Sequence, residues 1–560
     1  MPAANCQKPV ARSPKECEPQ YSTCHKGVLP MKYVSSILIA LFFFAGISTG
    51  QRANDLLPNP MIKNHFVKLA PNNISVWFSN NGFIAQDPAS RGAGWEFPIN
   101  SKKTICYSAG LVIGGIQDGQ IRIGGSTYRT GFQGGEILPD GKPINPNDST
   151  ARIYHIRRED ADSLTNPDYF LWSAQEGAPV DEAGKPLILG DEQLWYVAND
   201  LDPSLTTNLY GTMPIGLELQ TTAWGMNSDP MLREVVFVRQ RLISKSALPL
   251  EQTYIGLWSD FDLGDAVDDR VGVDTTLRLY FTYNARWHDE VYGTPPAAGI
   301  VLLQPPLVRS ENHTVILNGK RKNGFTFAPL AGFQVHICGD TVLNDIPIDE
   351  IAPIYNNLRG LTARGSLVID PTTNKPTRFC VPGNPITGEG WTSESFRGGD
   401  CSAIFSVGPI TLAPRDTQDV VYALVAAQGI DRLQSLQKVR LITKYIRTWW
   451  GVEPPLAVGK ASAPDEIRLD QNFPNPFHDQ TSISFSLPHR ALVRLKIFDA
   501  LGREVTTFVD EERESGEQVV ELDLNRPAFS LPSGVYFYQL ETGGKKLMKK
   551  MLKVDFRNLY

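Results

Sequence analysis

The sequence has few of the residues that build metal centres and nucleophilic sites. Its 560 residues include 7 cysteines and 8 histidines, with no Cys-x-x-Cys pair. It also lacks a His-Glu-x-x-His segment and a Gly-x-Ser-x-Gly segment. These absences argue against a zinc ribbon, a dithiol redox motif, a zinc protease of that type and a hydrolase nucleophile elbow. They do not exclude a pair of catalytic carboxylates, whose members can lie far apart in sequence.

Long stretches of positive charge are also missing. The chain has 54 lysine and arginine residues against 60 aspartate and glutamate residues, which gives a formal net charge of -6. Because phosphate binding needs clustered positive charge, this balance argues against nucleic acid as a partner. The pairs Gly114-Gly115 and Gly124-Gly125 flank a predicted hairpin rather than open a helix, which argues against a nucleotide phosphate loop.

Turn-forming residues are abundant. The chain has 47 glycines and 41 prolines. Pairs such as Asn81-Gly82, Asp118-Gly119, Asp140-Gly141 and Asn323-Gly324 supply the positive φ angles that tight hairpins need. We therefore predict an all-β fold, a multi-domain β-sandwich protein with one late α-helix. The main β-rich region, residues 53–451, is called the cargo region below and is expected to contain two subdomains.

The spacing of apolar residues places individual elements in the cargo region. Alternation with a period of two predicts strands near residues 72–79, 106–116, 120–128, 217–223, 234–243, 252–258 and 277–284. The apolar run at 420–427 predicts a buried strand. Apolar residues at helical spacing follow, with Asp431 near their start, and predict a helix over residues 431–448.

The N-terminus contains two different segments. Residues 31–50 join a lysine, an apolar run and the small residues Ser48-Thr49-Gly50, a pattern typical of a signal peptide. A membrane anchor is the alternative, although the apolar run is short for a bilayer span. Residues 1–30 contain three cysteines and no periodicity. We interpret them as an extension that arises from the gene model, with translation starting at Met31.

Four cysteines follow the signal peptide, and an even number in an oxidising compartment permits disulfides. Cys380 and Cys401 lie close in sequence around a segment rich in glycine and proline, so they are the first predicted pair. Cys106 with Cys338 would follow by elimination. Buried free thiols are the alternative, because sequence does not fix connectivity.

The strongest candidate for a ligand site is a run of six aspartates in the fifteen residues 260–274. Calcium prefers such hard carboxylate oxygens and flexible loops of aspartate and glycine. The spacing is not that of an EF-hand, because Gly264 comes one place early and Val271 replaces the bidentate glutamate. A solvated acidic loop is the alternative. The predicted calcium ligands are Asp260, Asp262, Asp265, Asp268, Asp269 and Asp274.

The composition changes after the predicted helix. Residues 452–465 are rich in proline, alanine and glycine and are predicted to form a linker. Residues 466–554, called the sorting module below, then show short strands with alternating apolar residues, such as Ile483, Phe485 and Leu487 between serines. This pattern predicts an antiparallel sandwich of the immunoglobulin or fibronectin kind.

Three motifs in this module resemble a known family. Residues 469–477 read Leu-Asp-Gln-Asn-Phe-Pro-Asn-Pro-Phe, residues 497–505 read Ile-Phe-Asp-Ala-Leu-Gly-Arg-Glu-Val, and residues 531–538 read Leu-Pro-Ser-Gly-Val-Tyr-Phe-Tyr. With a basic ending at 545–553, they resemble the type A C-terminal sorting domain of the type IX (Por) secretion system. The positions that match its motifs are Asn472, Pro474, Asn475, Pro476, Phe477, Gly502, Arg503, Pro532, Ser533, Gly534 and Tyr536.

The resemblance implies a route of delivery. The protein would reach the periplasm by its signal peptide and cross the outer membrane through the type IX translocon. A sorting peptidase would remove the module, and the mature protein would be attached to surface lipopolysaccharide or released. The expected location is therefore the outer-membrane surface or the medium. A plain fibronectin-like spacer is the alternative, since sandwiches recur without shared function.

The residues of the cargo region do not identify an activity, and no catalytic residue is assigned. Parts of it, such as residues 73–77 and 94–98, resemble exported proteins of unknown activity that carry the same tail. One hypothesis is a non-enzymatic surface protein for adhesion, binding or structure, stabilised by calcium. The other is a secreted hydrolase that acts on polysaccharide or peptide.

Overall fold

The computed structural model describes residues 65–160, 166–317, 320–337, 350–395, 399–451, 467–469, 471–472, 475, 477, 480–523 and 531–553. The chain divides into two compact units, Met1–Val452 and Glu453–Tyr560. The predicted N-terminal extension, the signal peptide, Cys338 and the linker at 452–465 lie outside the described residues. Within the described ranges, no helix is both long enough and apolar enough to cross a membrane.

Strands dominate both units. The first unit contains, in chain order, β1 (Phe66–Leu69), β2 (Ser75–Ser79), β3 (Trp95–Glu96), β4 (Thr104–Cys106), β5 (Ser108–Gln117), β6 (Gln120–Gly125), β7 (Gln133–Gly134), β8 (Tyr154–Arg157), α1 (Pro167–Phe170), β9 (Glu192–Asn199), α2 (Pro203–Tyr210), β10 (Leu217–Gly225), β11 (Val235–Ser244), β12 (Leu250–Phe261), β13 (Asp269–Asp274), β14 (Leu279–Asn284), β15 (Pro296–Gln304), β16 (Leu307–Leu317), β17 (Lys320–Phe327), β18 (Leu330–Ile337), α3 (Ile351–Leu358), β19 (Val368–Asp370), β20 (Lys375–Thr377), β21 (Cys401–Leu412), β22 (Thr417–Gln428) and α4 (Arg432–Trp449). The second unit contains β23 (Arg468–Leu469), β24 (Gln480–Leu487), β25 (Ala491–Asp499), β26 (Glu504–Arg513), β27 (Gly516–Asp523), β28 (Gly534–Thr542) and β29 (Lys545–Lys553).

Two large antiparallel sheets build the first unit. The nine-stranded sheet has the order β13-β14-β15-β22-β11-β10-β9-β7, with β8 also paired to β9. The five-stranded sheet has the order β18-β21-β12-β5-β6. A four-stranded sheet, β1 to β4, and the two-stranded pairs β16-β17 and β19-β20 complete the described part of the unit. This architecture confirms the predicted all-β class.

The main hydrophobic core fills the space between the two large sheets. Strand β22 contributes side chains to this core from one of its faces. Its residues Tyr422 and Leu424 lie in this core, together with side chains of β12 and β21. Its residues Ala423 and Val425 belong to a second core on the other face of the same sheet. Because β22 is buried on both faces, its sequence is continuously apolar instead of alternating.

Helix α4 covers the outer face of the nine-stranded sheet. Leu436, Val439 and Ile446 are fully buried in the second core. Asp431 caps the helix, because its Oδ1 accepts the N–H groups of Leu433 and Gln434 at 2.9 and 2.8 Å. The helix predicted over residues 431–448 is therefore confirmed.

Helix α3 covers the outer face of the five-stranded sheet. Its residues Ile354 and Leu358 pack against Trp258 and Ile404. The first unit thus has four layers, helix, sheet, sheet and helix. The helices α1, α2 and α3 are not predicted from the sequence, and α3 is hard to predict because it is short and has Pro353 in its first turn.

The turn pairs behave differently from one another. Asp118 and Gly119 have φ angles of 50° and 69° and join β5 to β6 as predicted. Asn323-Gly324 instead lies inside β17, opposite a shift in the register of β16 between Arg309 and Thr314. The prediction of a hairpin turn at Asn323-Gly324 is therefore wrong.

The second unit is a sandwich of two antiparallel sheets, β23-β24-β27 and β26-β25-β28-β29. Ile483 and Phe485 from one sheet and Leu495 and Ile497 from the other are fully buried between them, whereas Arg494 on the outer face is exposed. The predicted sandwich is confirmed.

The described cysteines are free thiols. Cys106, Cys380 and Cys401 are all buried and unbridged. Cys401 lies opposite Ile337 of β18, whereas the N–H of Cys380 donates to the carbonyl of Phe333 in the same strand. These positions are roughly 13 Å apart along β18, which is more than the Cα separation of about 7 Å that a disulfide tolerates. The predicted Cys380–Cys401 disulfide is therefore wrong, and the pair that would use Cys106 is also not formed.

The cap of α4 gives a test of the fold. Changing Asp431→Ala removes the acceptor of two helix N–H groups and should lower the free energy of unfolding by about 1 kcal/mol. Asp431→Ser keeps an oxygen acceptor and should lose only a few tenths of a kcal/mol, roughly the spread between good caps. Denaturant titration of both variants measures the difference. Equal stability of the two variants would show that the cap does not hold the start of α4.

Candidate functional site

Two aspartates of the acidic run lie at the end of β12, the central strand of the five-stranded sheet. β12 pairs with β21 so that Asp260 lies opposite Ser402. The same antiparallel register brings Asp262 beside Asp400, the residue that precedes β21. Ligand oxygens of Asp260, Asp262 and Asp400 lie within 4.8 Å of one another. We call these three residues the carboxylate cluster.

Burial makes the negative charge of the carboxylate cluster costly. Asp260 is only 5% exposed and Asp262 is half-buried. Burial, and secondly the charge of Asp400, raises the pKa of Asp262 to about 7. The Oδ1 of Asp262 is buried and accepts no hydrogen bond among the described residues. Carboxylates so close together need a proton or a cation between them, because like charges disfavour ionisation in a poorly solvated site.

A fourth carboxylate, Asp269 at the start of β13, is buried beside the cluster. It is 1% exposed. Its Oδ2 accepts the N–H of Leu263, the residue after Asp262, at 3.1 Å, and its Oδ1 accepts no hydrogen bond among the described residues. Burial first, and then the charge of Asp262, raises the pKa of Asp269 well above its usual range. A cation next to Asp262 would therefore also offset the charge of Asp269.

The remaining aspartates of the run bind protein groups. Asp265 forms an ion pair with Arg286 at 3.3 Å, and Asp268 accepts the backbone N–H of Arg286 at 3.1 Å. Asp274 forms a salt bridge with Arg440 of α4. The six aspartates therefore do not converge on one loop site: two of them join the carboxylate cluster, one lies beside it and three are held elsewhere.

Sequence reasoning missed Asp400. It is far from the acidic run in the chain, and only the pairing of β12 with β21 brings it to Asp262. The available signal is its position directly before the apolar strand that begins at Cys401.

A cavity of about 370 Å³ lies elsewhere in the first unit and is lined by Tyr169, Phe170, Trp172, Gly184, Lys185 and Pro186. This segment packs on β8 and β9, which form one end of the nine-stranded sheet, whereas β13 with Asp269 forms the other end. At the usual strand spacing these ends are roughly 30 Å apart. The carboxylate cluster and the aromatic cavity therefore do not form one cleft.

The opening motif of the sorting module lies against its last strand. The Oδ1 of Asn475 accepts the N–H of Leu552 at 2.7 Å, and its Nδ2 donates to the carbonyl of Lys550 at 3.3 Å. The N–H of Phe477, which is 1% exposed, donates to the carbonyl of Leu552 at 2.9 Å. The motif thus occupies part of the open edge of β29, where a further strand would otherwise pair.

Asn472 fixes the same motif to the core of the module. It is 1% exposed. Its N–H donates to the hydroxyl of Tyr538 at 2.7 Å, and its Nδ2 donates to Oγ1 of Thr481 at 2.9 Å. Pro474 and Pro476 lie outside the described residues.

The central motif forms a turn, and the late motif leads into a strand. Gly502 has a φ of 78° in the turn between β25 and β26. Asp499 accepts the N–H of Arg503 at 3.0 Å and binds its guanidinium at 2.7 Å, and these bonds lower the pKa of Asp499. Pro532, Ser533 and Gly534 lead into β28, where the hydroxyl of Tyr536 donates to the carbonyl of Pro532 at 2.9 Å. The motif side chains thus serve to shape the sandwich.

Comparison with known families identifies this module. Residues 471–554 match the family model described as a secretion system C-terminal sorting domain. The suspected type IX sorting domain is therefore confirmed at the C-terminus, and the chain is a protein delivered to the cell surface or the medium by the type IX secretion machinery. No curated protein matches the chain.

Among the solved structures that share limited likeness with the chain are a lyase, PorU and an adhesin. A polysaccharide lyase matches at 8% identity and a TM-score of 0.19, over 60% of this chain and 34% of its own. Dimeric latent PorU from Porphyromonas gingivalis matches at 11% identity and a TM-score of 0.14, over 65% and 31%. The adhesin domain of Epf from Streptococcus pyogenes matches at 6% identity and a TM-score of 0.12, over 58% and 81%. The match spans about a third of the first two structures, and scores this low support no functional conclusion.

The contact of Asn475 with β29 can be tested in the module. Asn475→Ala should lower the free energy of unfolding of the module by about 1–2 kcal/mol, because two hydrogen bonds to the strand edge are lost. Asn475→Asp keeps the acceptor for Leu552 and should lose less. Hydrogen exchange of the Leu552 amide should be faster in the alanine variant and remain slow in the aspartate variant. Unchanged exchange in Asn475→Ala would contradict the edge contact.

Proposed function

We propose that the cargo region of this type IX-delivered chain is a non-enzymatic surface protein, a binding or structural element whose sandwich is stabilised by calcium at Asp260, Asp262 and Asp400. The observation that carries the proposal is the convergence of three carboxylates at the ends of two central strands. A cation there would fix the end of β12 to the start of β21. Because both strands lie in the middle of the five-stranded sheet, this would stiffen the sheet.

The choice of calcium follows from the donor atoms. Calcium takes six to eight oxygen ligands in flexible geometry, whereas magnesium demands a near-ideal octahedron and keeps several waters. The carboxylate cluster offers oxygen donors only, and the buried Oδ1 atoms of Asp262 and Asp269 lack hydrogen-bond donors among the described residues. A divalent cation supplies the positive charge that these atoms lack.

A secreted hydrolase is the alternative, and the same cluster is what favours it, since paired carboxylates are the acid and base of many hydrolases. Two features support the non-enzymatic role instead. Asp260 is nearly inaccessible to a substrate, and the aromatic cavity that could hold a sugar lies at the other end of the nine-stranded sheet.

The individual steps of delivery are part of the same proposal. Export to the periplasm would use residues 31–50, and the sorting peptidase would cut in the linker at 452–465, where exposed backbone rich in proline, alanine and glycine is accessible to a protease. The mature cargo region would then be attached to surface lipopolysaccharide or released.

Calcium binding is tested by thermal unfolding of the chelated and calcium-loaded protein. Calcium at tenfold above its dissociation constant should stabilise the folded state by about 1.4 kcal/mol. Dissociation constants of extracellular calcium modules lie at roughly 10⁻⁴–10⁻³ M, so the effect should appear at millimolar calcium. Asp400→Asn should abolish most of the calcium-dependent rise in Tm.

Asp265→Asn is the matched control, because Asp265 belongs to the acidic run and bonds to Arg286 instead of joining the carboxylate cluster. The rise in Tm that calcium causes in Asp265→Asn should equal the rise in the wild type, even if the Tm of the variant in chelator differs. The proposal fails if the wild-type Tm is the same with and without calcium, or if Asp400→Asn retains the full rise.

A further inference from the structure

The hairpin β16–β17 is set apart from the large sheets. Its strands pair with each other and, in the described part of the chain, with no third strand. It is held at its base, where the N–H of Leu307 donates to Oε1 of Gln418 at 2.9 Å and the N–H of Ala328 donates to the carbonyl of Pro306 at 2.8 Å. Val308 packs against the main core and Val315 is buried, so the surface available to a ligand is carried by the exposed side chains of the hairpin.

The hairpin concentrates positive charge on a chain whose net charge is -6. Residues 307–327 contain Arg309, Lys320, Arg321 and Lys322 against the single acidic residue Glu311. The side chains of Arg309, Arg321 and Lys322 are exposed. Arg309 and Lys322 both lie against the ring of Phe325, and Arg321 is next to Lys322 in the chain, so these three positive charges form a patch on the hairpin.

In the part of the chain that the structure describes, Arg309, Arg321 and Lys322 form no ion pair with a carboxylate. Arg309 and Lys322 contact the ring of Phe325, at 5.8 and 4.3 Å from its centroid. Cations held over a ring keep their charge and remain available to an anion, because the ring offers a weak attraction and no countercharge.

The shape of the hairpin argues against a protein strand as its ligand. The register between β16 and β17 shifts between Arg309 and Thr314, so four residues of β16 bulge opposite a single residue of β17. Bulges and cationic side chains are devices that prevent strand addition at an open edge. The patch therefore suits a flexible anion rather than another β-strand.

The chemistry of the patch distinguishes among flexible anions. Single-stranded nucleic acid binds to rows of aromatic side chains on which bases stack, whereas the two rings of the hairpin, Phe325 and Phe327, are half-buried and lie against cations of the protein itself. Membrane insertion needs a continuous apolar face, whereas Ile316 is the large apolar side chain of the hairpin that is substantially exposed, at 47%. Arginine and lysine suit the carboxylates of a polyuronate, and arginine binds carboxylates in bidentate fashion.

We propose that the hairpin β16–β17 binds acidic polysaccharide of the polyuronate class through Arg309, Arg321 and Lys322. The inference deepens the proposed non-enzymatic role of the cargo region and rests on it. It names the class of ligand that the cargo region binds. It also places the binding site on the hairpin, away from the carboxylate cluster.

The test uses the purified full chain and polygalacturonate as the probe. The triple variant Arg309→Gln, Arg321→Gln, Lys322→Gln should weaken binding by at least about tenfold, since each exposed contact contributes up to about one factor of five in affinity. A control variant, Arg364→Gln, Lys375→Gln, Lys444→Gln, removes the same charge from other exposed positions and should bind within about twofold of the wild type. Binding by the wild type should also weaken with added salt, because exposed charges are screened.

Several outcomes would overturn the inference. Equal loss in both triple variants would show a general charge effect, and unchanged binding in the hairpin variant would place the site elsewhere. Tighter binding to duplex DNA or to anionic vesicles than to polygalacturonate would assign the patch to another class of partner, and equal binding to neutral dextran would remove the role of charge. Shortening of the polygalacturonate chains would instead contradict the non-enzymatic function, and the comparison of the two variants would still report on the hairpin.

Discussion

The double burial of β22 is the constraint on which the cargo region depends. One set of its side chains packs between the two large sheets and the other set packs under α4, so neither sheet can shift without opening two cores at once. The central pair of the other sheet, β12 and β21, is fixed against this strand through the inter-sheet core. Their register in turn places Asp262 beside Asp400, and the carboxylate cluster is thus a consequence of the packing that closes the sandwich.

A rigid frame of this kind separates the tasks of the chain. The cores of the cargo region draw their described residues from the first unit, and the core of the sorting module draws its described residues from the second. The carboxylate cluster lies where the two central strands of one sheet end, and the cationic hairpin lies outside both large sheets. The core residues, the proposed ligand site and the sorting motifs therefore occupy different parts of the chain.

Local patterns in the sequence predicted the parts of this structure that local physics decides. The alternation around Ile483 and Leu495, the cap at Asp431 and the Asp118-Gly119 turn each depend on neighbours close in the chain, and each was correctly predicted. The sorting module was recognisable because its motifs occupy turns and a strand edge with fixed chemistry.

The predictions that failed depended on long-range pairing. Cys380 and Cys401 are close in sequence yet separated along β18, and Asp400 is distant in sequence yet adjacent to Asp262. Helix α3 was missed since its helical state comes from packing on Trp258 and Ile404 rather than from its own pattern.

The central claim is that the sorting module, residues 466–554, directs secretion and is separable from a cargo region that folds without it. Comparing a chain that ends at Val458 with the full-length protein in a bacterium that has a type IX system tests it directly, with secretion and the Tm of the cargo region measured for both. We expect the shortened protein to keep the Tm of the cargo region and to stay inside the cell envelope, while the full chain reaches the surface or the medium. Secretion of the shortened protein at the rate of the full chain, or unfolding of its cargo region, would contradict a separable sorting module.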